Sequence, residues 1–168
     1  MNIQDEIYDV VDIDDRVTGQ ATRREIHQKK LLHRSVHIFV FNREGHLYLQ
    51  KRALSKDENP GFWDTSSAGH VDAGEDYQTA ADRELMEELT ISEPLQPFMK
   101  IKACPESHFE HVHAYTCTTR QPIQPNPDEI QEGRFWTLEE IKDSLGEKNH
   151  PFTSTFKILF INYLKEKG

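Results

Sequence analysis

Two cysteines in 168 residues are too few for a disulfide framework, and Cys104 and Cys117 lack the paired spacing of a zinc site. Free thiols in a reducing compartment are therefore expected. Long apolar runs are missing as well, since nothing approaches the roughly 18 consecutive apolar residues of a membrane-spanning helix. The amino-terminal "MNIQDEIYDV" is acidic where a secretory signal would be basic and then apolar. A cytoplasmic protein without a membrane partner is expected. Positive charge is also scarce: 20 Lys and Arg stand against 29 Asp and Glu, a net charge of −9 at pH 7. That balance argues against a nucleic-acid polymer as partner, yet leaves room for small anions carried in with a metal ion. Repeats and low-complexity tracts are absent, and a 36% hydrophobic content without a second composition regime suits one core. The chain is read as a single domain over residues 1–168, with its core at about 32–164.

Negative charge, by contrast, is crowded. In "GHVDAGEDYQTAADRELMEELTI" (residues 69–91), Glu84, Glu87 and Glu88 lie close together, with Glu75 shortly before them. The segment from Tyr77 to Leu89 has no Pro or Gly, is rich in good helix formers, and repeats apolar residues at Ala81, Leu85 and Leu89. It reads as a helix, with Gly74 and Asp76 placed as turn and cap. At about 100° per residue the three glutamates share an arc beside the apolar stripe. A solvated helix face would mix Lys with Glu at i,i+4 spacing, whereas this helix offers only Arg83. Like charges in a partly desolvated site need protons or a cation, and clustered carboxylate oxygens suit Mg²⁺ or Mn²⁺.

The remaining chain alternates strand and helix signals. "VHIFVF" and "HLYLQKR" flank the turn "NREG", a hairpin pattern, and "PFMKIKA", "EHVHAYTCTT" and "GRFWT" are further strand candidates around the Pro-punctuated loop "RQPIQPNPDEI". Thr137 with Glu140 forms a capping box before "LEEIKDSL", and "FTSTFKILFINYLKEK" reads as a terminal amphipathic helix. Strands with helices before and after them predict a layered α/β/α arrangement.

From Gly69 onward, the spacing of Gly69, Glu75, Arg83, Glu84, Leu85, Glu87, Glu88 and Ile91 resembles the Nudix box, the metal-binding loop and helix of Nudix hydrolases. The family has Gly where this chain has Thr90. A β-branched residue resists positive φ, so the helix is expected to run past Leu89 or to end through a turn other than the glycine cap. The resemblance implies a Nudix-type α/β/α sandwich with a mixed β-sheet. It implies Glu84 and Glu88 as metal ligands, and Glu87 as a further ligand or as the base that activates water. Arg83 would orient the carboxylates, pairing with Glu75 at the loop. Glu129, in "PDEIQEGRFW", is the alternative base, supplied from a loop before the last strand.

Similarity extends from about Val10 to Ile141, through "VVDIDDRVTGQATR" and "FNREGHLYLQKRALSKDENPGFWDTSSAGHVDAGE", to the Nudix subgroup around isopentenyl diphosphate isomerase, which holds both hydrolases and the isomerase. By that resemblance His33, His70 and Glu110 fall on metal-ligand positions, although a histidine in a strand also serves as hydrogen-bonded filler. Another histidine-ligand position falls on Ile26, with His27 one step away. Ala68 stands where the isomerase carries its catalytic Cys, and Val112 where it carries a second Glu, and neither side chain transfers protons. Arg52 and Lys56 match two cations that hold a diphosphate, or else form a solvated pair flanking a strand. Arg23, Arg24, Lys29, Lys30 and Arg34 form a basic cluster with no motif around it, read as surface. The implied activity is metal-dependent cleavage of a P–O–P bond in a small diphosphate, nucleotide-type or otherwise. The alternatives are isopentenyl diphosphate isomerisation and a catalytically silent ligand-binding module.

Overall fold

In the computed structural model, which describes residues 2–148 and 150–168, a short 3-10 turn (Ile3–Asp5) leads into an antiparallel hairpin of β1 (Ile7–Val11) and β2 (Val17–Thr22). Thr22 and Glu25 then cap each other's backbone and start α1 (Arg23–Lys29), which Lys30 ends in the left-handed region at φ 54°. The buried strand β3 (His33–Phe41) follows. Its alternating side chains serve two cores, Val36, Ile38 and Val40 on one face and Phe39 and Phe41 on the other. Next come β4 (Leu47–Arg52), β5 (Trp63–Asp64), β6 (Ser67–His70), α2 (Tyr77–Leu89), β7 (Gln96–Ile101), β8 (Glu110–Thr118), β9 (Ile130–Trp136), α3 (Leu138–Leu145) and α4 (Ser154–Lys167).

One mixed sheet runs in the order β5, β4, β3, β8, β7, with β6 also paired to β3 and β9 to β4. Among the described strand pairs of this sheet, β3 with β8 is parallel and the others are antiparallel, with His33 opposite Glu110 and Phe41 opposite Thr118. The "NREG" turn closes as expected, with Gly45 at φ 80°, but β3 and β4 pair only at Phe41 and Leu47 before they diverge. Each then takes other partners, which leaves room for β6 beside the first half of β3. Ala80, Ala81, Leu85 and Leu89 of α2 close the core on one face, while Ile141 of α3 and Phe156, Leu159 and Phe160 of α4 close it on the other. This is the expected α/β/α sandwich. No helix among the described residues is long and apolar enough to cross a membrane.

Thr90 overturns the expectation from its chemistry. It caps α2 in the left-handed region (φ 59°, ψ 38°), its N–H donates to Met86 O, and its hydroxyl donates to Gln124 O at 3.0 Å. The tertiary hydrogen bond offsets a strain of about 1 kcal/mol for a residue with a Cβ in this conformation. Thr90→Gly loses both the bond and the strain, whereas Thr90→Ala loses only the bond. The glycine variant is therefore expected to melt above the alanine variant, by about 1 kcal/mol in denaturant titrations. The reverse order would disprove the left-handed cap.

The amino-terminal hairpin docks through polar contacts. Asp15 accepts from Arg34 Nε at 2.7 Å and from the Tyr77 hydroxyl at 2.8 Å, Asp9 accepts from Gly74 N at 3.0 Å, and His111 Nε2 donates to Asp12 O at 2.9 Å. Tyr77 in turn stacks flat on His113, ring centroids 3.4 Å apart. Burial, with Lys100 nearby, pushes the His113 imidazole down to about 4 from 6.5. Between those values the unfolded chain binds a proton that the folded chain refuses, so this contribution to stability is present above about 6.5 and is lost as pH falls toward 4. His113→Phe keeps the stack without the titration. Its loss of stability between pH 7 and pH 5, read from urea midpoints, is expected to be smaller than the parent's, and an equal loss would refute the assignment.

Candidate active site

The glutamates of α2 meet the sheet at β6. Gly69 is needed there because a Cβ at that position would occupy the Glu84 carboxylate. Glu88 is buried, and its Oε1 accepts from Ser67 Oγ at 2.8 Å, Ala68 N at 2.7 Å and Gln50 Nε2 at 3.4 Å. Burial pushes its carboxyl up to about 7 against these donors. Burial and the neighbouring Glu88 likewise hold Glu84 well above the usual carboxylate range. Glu87 lies further round the helix, with its side chain 57% exposed.

Arg83 ties the group together. It reaches both oxygens of Glu75, at 2.9 Å from Nε and 2.8 Å from Nη2, then Glu84 at 2.8 Å, Glu87 at 3.3 Å and the His70 carbonyl at 3.0 Å. The expected pairing of Arg83 with Glu75 is thus present, and one guanidinium spans loop, helix and strand. It leaves Glu88 without a cation among these contacts, so the pair Glu84 and Glu88 suits a divalent metal, which would offset the charge of both carboxylates.

A second cluster stands beside it. The parallel register sets Glu110 next to His33, and the antiparallel register sets His70 next to Ser35, so both side chains meet at the start of β3. His70 Nε2 lies 3.0 Å from Glu110 Oε1 and His33 Nε2 lies 3.5 Å from it. Burial opposes the charge on Glu110, but the imidazoles of His33 and His70 beside it hold its carboxyl well below the usual range. His33 Nδ1 donates to Leu31 O at 2.8 Å, which directs Nε2 at the cluster. One ring nitrogen from each of His27, His33 and His70 comes within 4.8 Å of the others. Nε2 of both His27 and His33 is buried without a hydrogen-bond partner.

Two sequence readings are corrected here. Ile26 is fully buried in the core, and His27 is the residue that faces the cluster, because one step along α1 turns the side chain by about 100°. Arg23, read as surface, is only 6% exposed. It sits one turn before His27 on the same helix face, and its Nη1 donates to His70 Nδ1 at 3.1 Å and to the Tyr8 hydroxyl at 3.4 Å, while Nη2 pairs with Asp57 at 3.0 Å. The capping box Thr22 to Glu25 was the available signal, since it starts a helix that places Arg23 and His27 together. Nothing comparable marked Tyr8, which stacks on His70 at 4.7 Å.

The glutamate cluster opens onto a cleft of about 490 Å³, lined by Glu84, Glu87, Glu88, Arg83 and Arg23, by His70 of the second cluster, and by Lys56 and Glu129, which form an ion pair. A smaller cavity of about 90 Å³, bordered by Glu110 and His70 of the second cluster, adjoins it where Arg52 approaches Asp64 at 3.5 Å. Arg23, Lys56, Ala68, Gly69 and His70 line both spaces. Arg52 therefore faces the inner cavity, and Lys56 the passage between the two. Val112 is fully buried in the core beneath α4.

The chain is similar to proteins with two kinds of name. It is 33% identical to the isopentenyl-diphosphate Delta-isomerase of Serratia proteamaculans, over 98% of this chain and 92% of that one. It is 35% identical to a Pseudomonas aeruginosa protein named only as an uncharacterized Nudix hydrolase, over 74% and 75% of the two chains. Among solved structures, the Deinococcus radiodurans protein DR0079 superposes with a TM-score of 0.83 at 24% identity, covering 94% of this chain and 98% of that one. The NUDIX domain profile matches residues 31–156, from the strand that carries His33 to the helix that closes the second core. The chain belongs to the NUDIX domain family.

Proposed function

We propose that the protein is a metal-dependent pyrophosphohydrolase that cleaves the diphosphate linkage of a small molecule. The observation that carries this reading is the pair formed by buried Glu88 and largely covered Glu84, the latter held by Arg83 against a glycine on β6. Glu84 and Glu88 would hold Mg²⁺ or Mn²⁺, with Glu87 as a further ligand or as base. When bound, the metal polarises phosphoryl oxygens and lowers the pKa of a bound water. Arg83 keeps the carboxylates in place, and Ser67 and Ala68 fix the Glu88 oxygen. Lys56 offers charge to a phosphate, and its partner Glu129 is released to take a proton whenever phosphate replaces it at the ammonium. His27, His33, His70 and Glu110 make a second donor set, three imidazoles and one carboxylate, suited to Zn²⁺ or Mn²⁺. We read residues 1–168 as one catalytic domain, working in the cytoplasm.

Isomerisation is the competing reading, favoured by the relatives' names and by the histidine cluster. It requires one group to add a proton to an allylic carbon and another to remove one. Ala68 borders the cleft with a methyl group, and Val112 is packed in the core. The unaltered protein with Mg²⁺ or Mn²⁺ is therefore expected to release phosphate or a phosphomonoester from at least one member of a panel of small diphosphates. It is also expected to put no solvent deuterium into isopentenyl diphosphate. Deuterium incorporation would overturn the assignment.

A further inference from the structure

β3 runs from His33, in the histidine cluster, to Phe41, a length of about 26 Å at roughly 3.3 Å per residue. Outside Phe41 and Thr118, the last residues of the parallel strands β3 and β8, a cavity of about 660 Å³ opens. The carboxyl ends of parallel strands are where open α/β sheets take up ligands. Thr116 and Thr118 of β8, Gln96 of β7, Tyr163 and Lys167 of α4, and Arg43 of the turn after β3 line the space. Its floor is aromatic, with Phe41 and Tyr163 stacked at 5.4 Å and 28°. Cys117 adds no charge, since burial pushes its thiol up to about 12.

The charge of this cavity is opposite to that of the chain. Against 29 Asp and Glu and 20 Lys and Arg overall, the lining holds two cations and no carboxylate. Glu44, Glu139 and Glu166 are sequence neighbours of lining residues yet stay outside it, and Glu93 is engaged by the Thr119 hydroxyl at 2.7 Å and by Gln121 Nε2 at 2.9 Å. Both cations are placed by the fold. Asn42 Oδ1 accepts from Glu44 N at 3.1 Å and His46 N at 2.9 Å, so a pinned turn presents Arg43. Lys167 Nζ lies over the Tyr163 ring, 5.6 Å from its centroid, which holds the ammonium against the floor. Neither cation belongs to an ion pair among the described residues.

From these features we infer a second ligand site, separate from the catalytic cleft, for a small organic anion with a planar apolar body, such as an aryl phosphate. The anionic group meets Arg43 and Lys167, the ring lies against the aromatic floor, and polar substituents meet Thr116, Thr118 and Gln96. Neither part suffices alone. Bare phosphate gains the two cations but covers none of the floor, and a neutral ring covers the floor but leaves both cations to solvent. In the metal-free protein the catalytic cleft is the less favourable place for such an anion, because carboxylates outnumber cations in its lining. The assignment is independent of the hydrolase reading.

The test titrates phenyl phosphate, inorganic phosphate and phenol into the full chain at low salt with a metal chelator, read by backbone amide shifts in two-dimensional NMR. Phenyl phosphate is expected to saturate with a Kd below about 1 mM, roughly fivefold or more tighter than either fragment, and to move the amides of Arg43, Gly45, Gln96, Thr118 and Lys167. Arg43 and Lys167 are both exposed, so Arg43→Gln and Lys167→Gln leave the melting midpoint in place, and each is expected to weaken binding about threefold. Thr118→Glu sets a carboxylate into the lining and is expected to abolish it. Absence of saturation by about 10 mM in the parent, shifts centred on Gly69 and Glu84 instead, or equal affinity in the parent and all three variants would overturn the inference. Phosphate or phenol binding as tightly as phenyl phosphate would overturn it too, because the site would then read only charge or only the floor.

Discussion

Glu88→Gln is expected to give a folded protein whose diphosphate hydrolysis is lower by on the order of 10³ or more. The amide oxygen of glutamine can accept the same bonds from Ser67 Oγ and Ala68 N, so the contact between α2 and β6 survives. It carries no charge to bury, and the metal-free variant is expected to melt no lower than the parent. What disappears is a ligand charge, and several kcal/mol of transition-state stabilisation translate to a factor of ten for each 1.36 kcal/mol. A metal that binds only the folded state raises the parent's melting midpoint at millimolar concentration, and this rise should largely vanish in the variant. Normal hydrolysis by Glu88→Gln would remove the carboxylate pair from the mechanism altogether.

Arg83→Met is expected to have the largest effect on stability. The substitution keeps an unbranched stem but strips Glu75, Glu84 and the His70 carbonyl of their shared donor. Removing one partner of a partly buried ion network costs about 3 kcal/mol, which for a chain of this size is roughly 6–12 °C in melting temperature. Arg83→Lys should recover little, because an ammonium cannot span both oxygens of Glu75 while also reaching Glu84. The deficit should shrink at pH 5, where the orphaned carboxylates take up protons. Calorimetry at pH 7.5 and pH 5 reads both effects, and a loss below about 1 kcal/mol at pH 7.5 would mean that Arg83 is not the tie described here.

How much of this was legible depended on whether the cause lay close in sequence. The bounds of α2 were readable because Asp76 caps it and no glycine or proline interrupts it before Leu89. The Thr137 and Glu140 box foretold α3 for the same local reason. Thr90 misled because its left-handed conformation is held by Gln124, a partner outside the motif. Arg23 was hidden in a run of basic residues whose bland reading is solvent, and its burial comes from Tyr8, Asp57 and His70, all remote in the chain. β2 gave no alternating pattern, because most of it is exposed on both faces. The inner cavity draws its wall from seven separate segments, so no window of sequence contains it.

The parallel pairing of β3 with β8 carries a kinetic implication. His33 and Glu110 meet only after a loop of about 75 residues closes, whereas β1 with β2 and α2 itself form from near neighbours. The helix that bears the carboxylates can therefore exist before the strand that completes the histidine cluster has docked. Pairing β8 one residue out of register would turn Glu110 and Val112 to the opposite face and bring His111 and His113 inward. Val112 and Ala114, packed against Phe39 and Phe156, penalise that slip with lost apolar burial, so two residues without any chemistry of their own proofread the assembly of the site during folding.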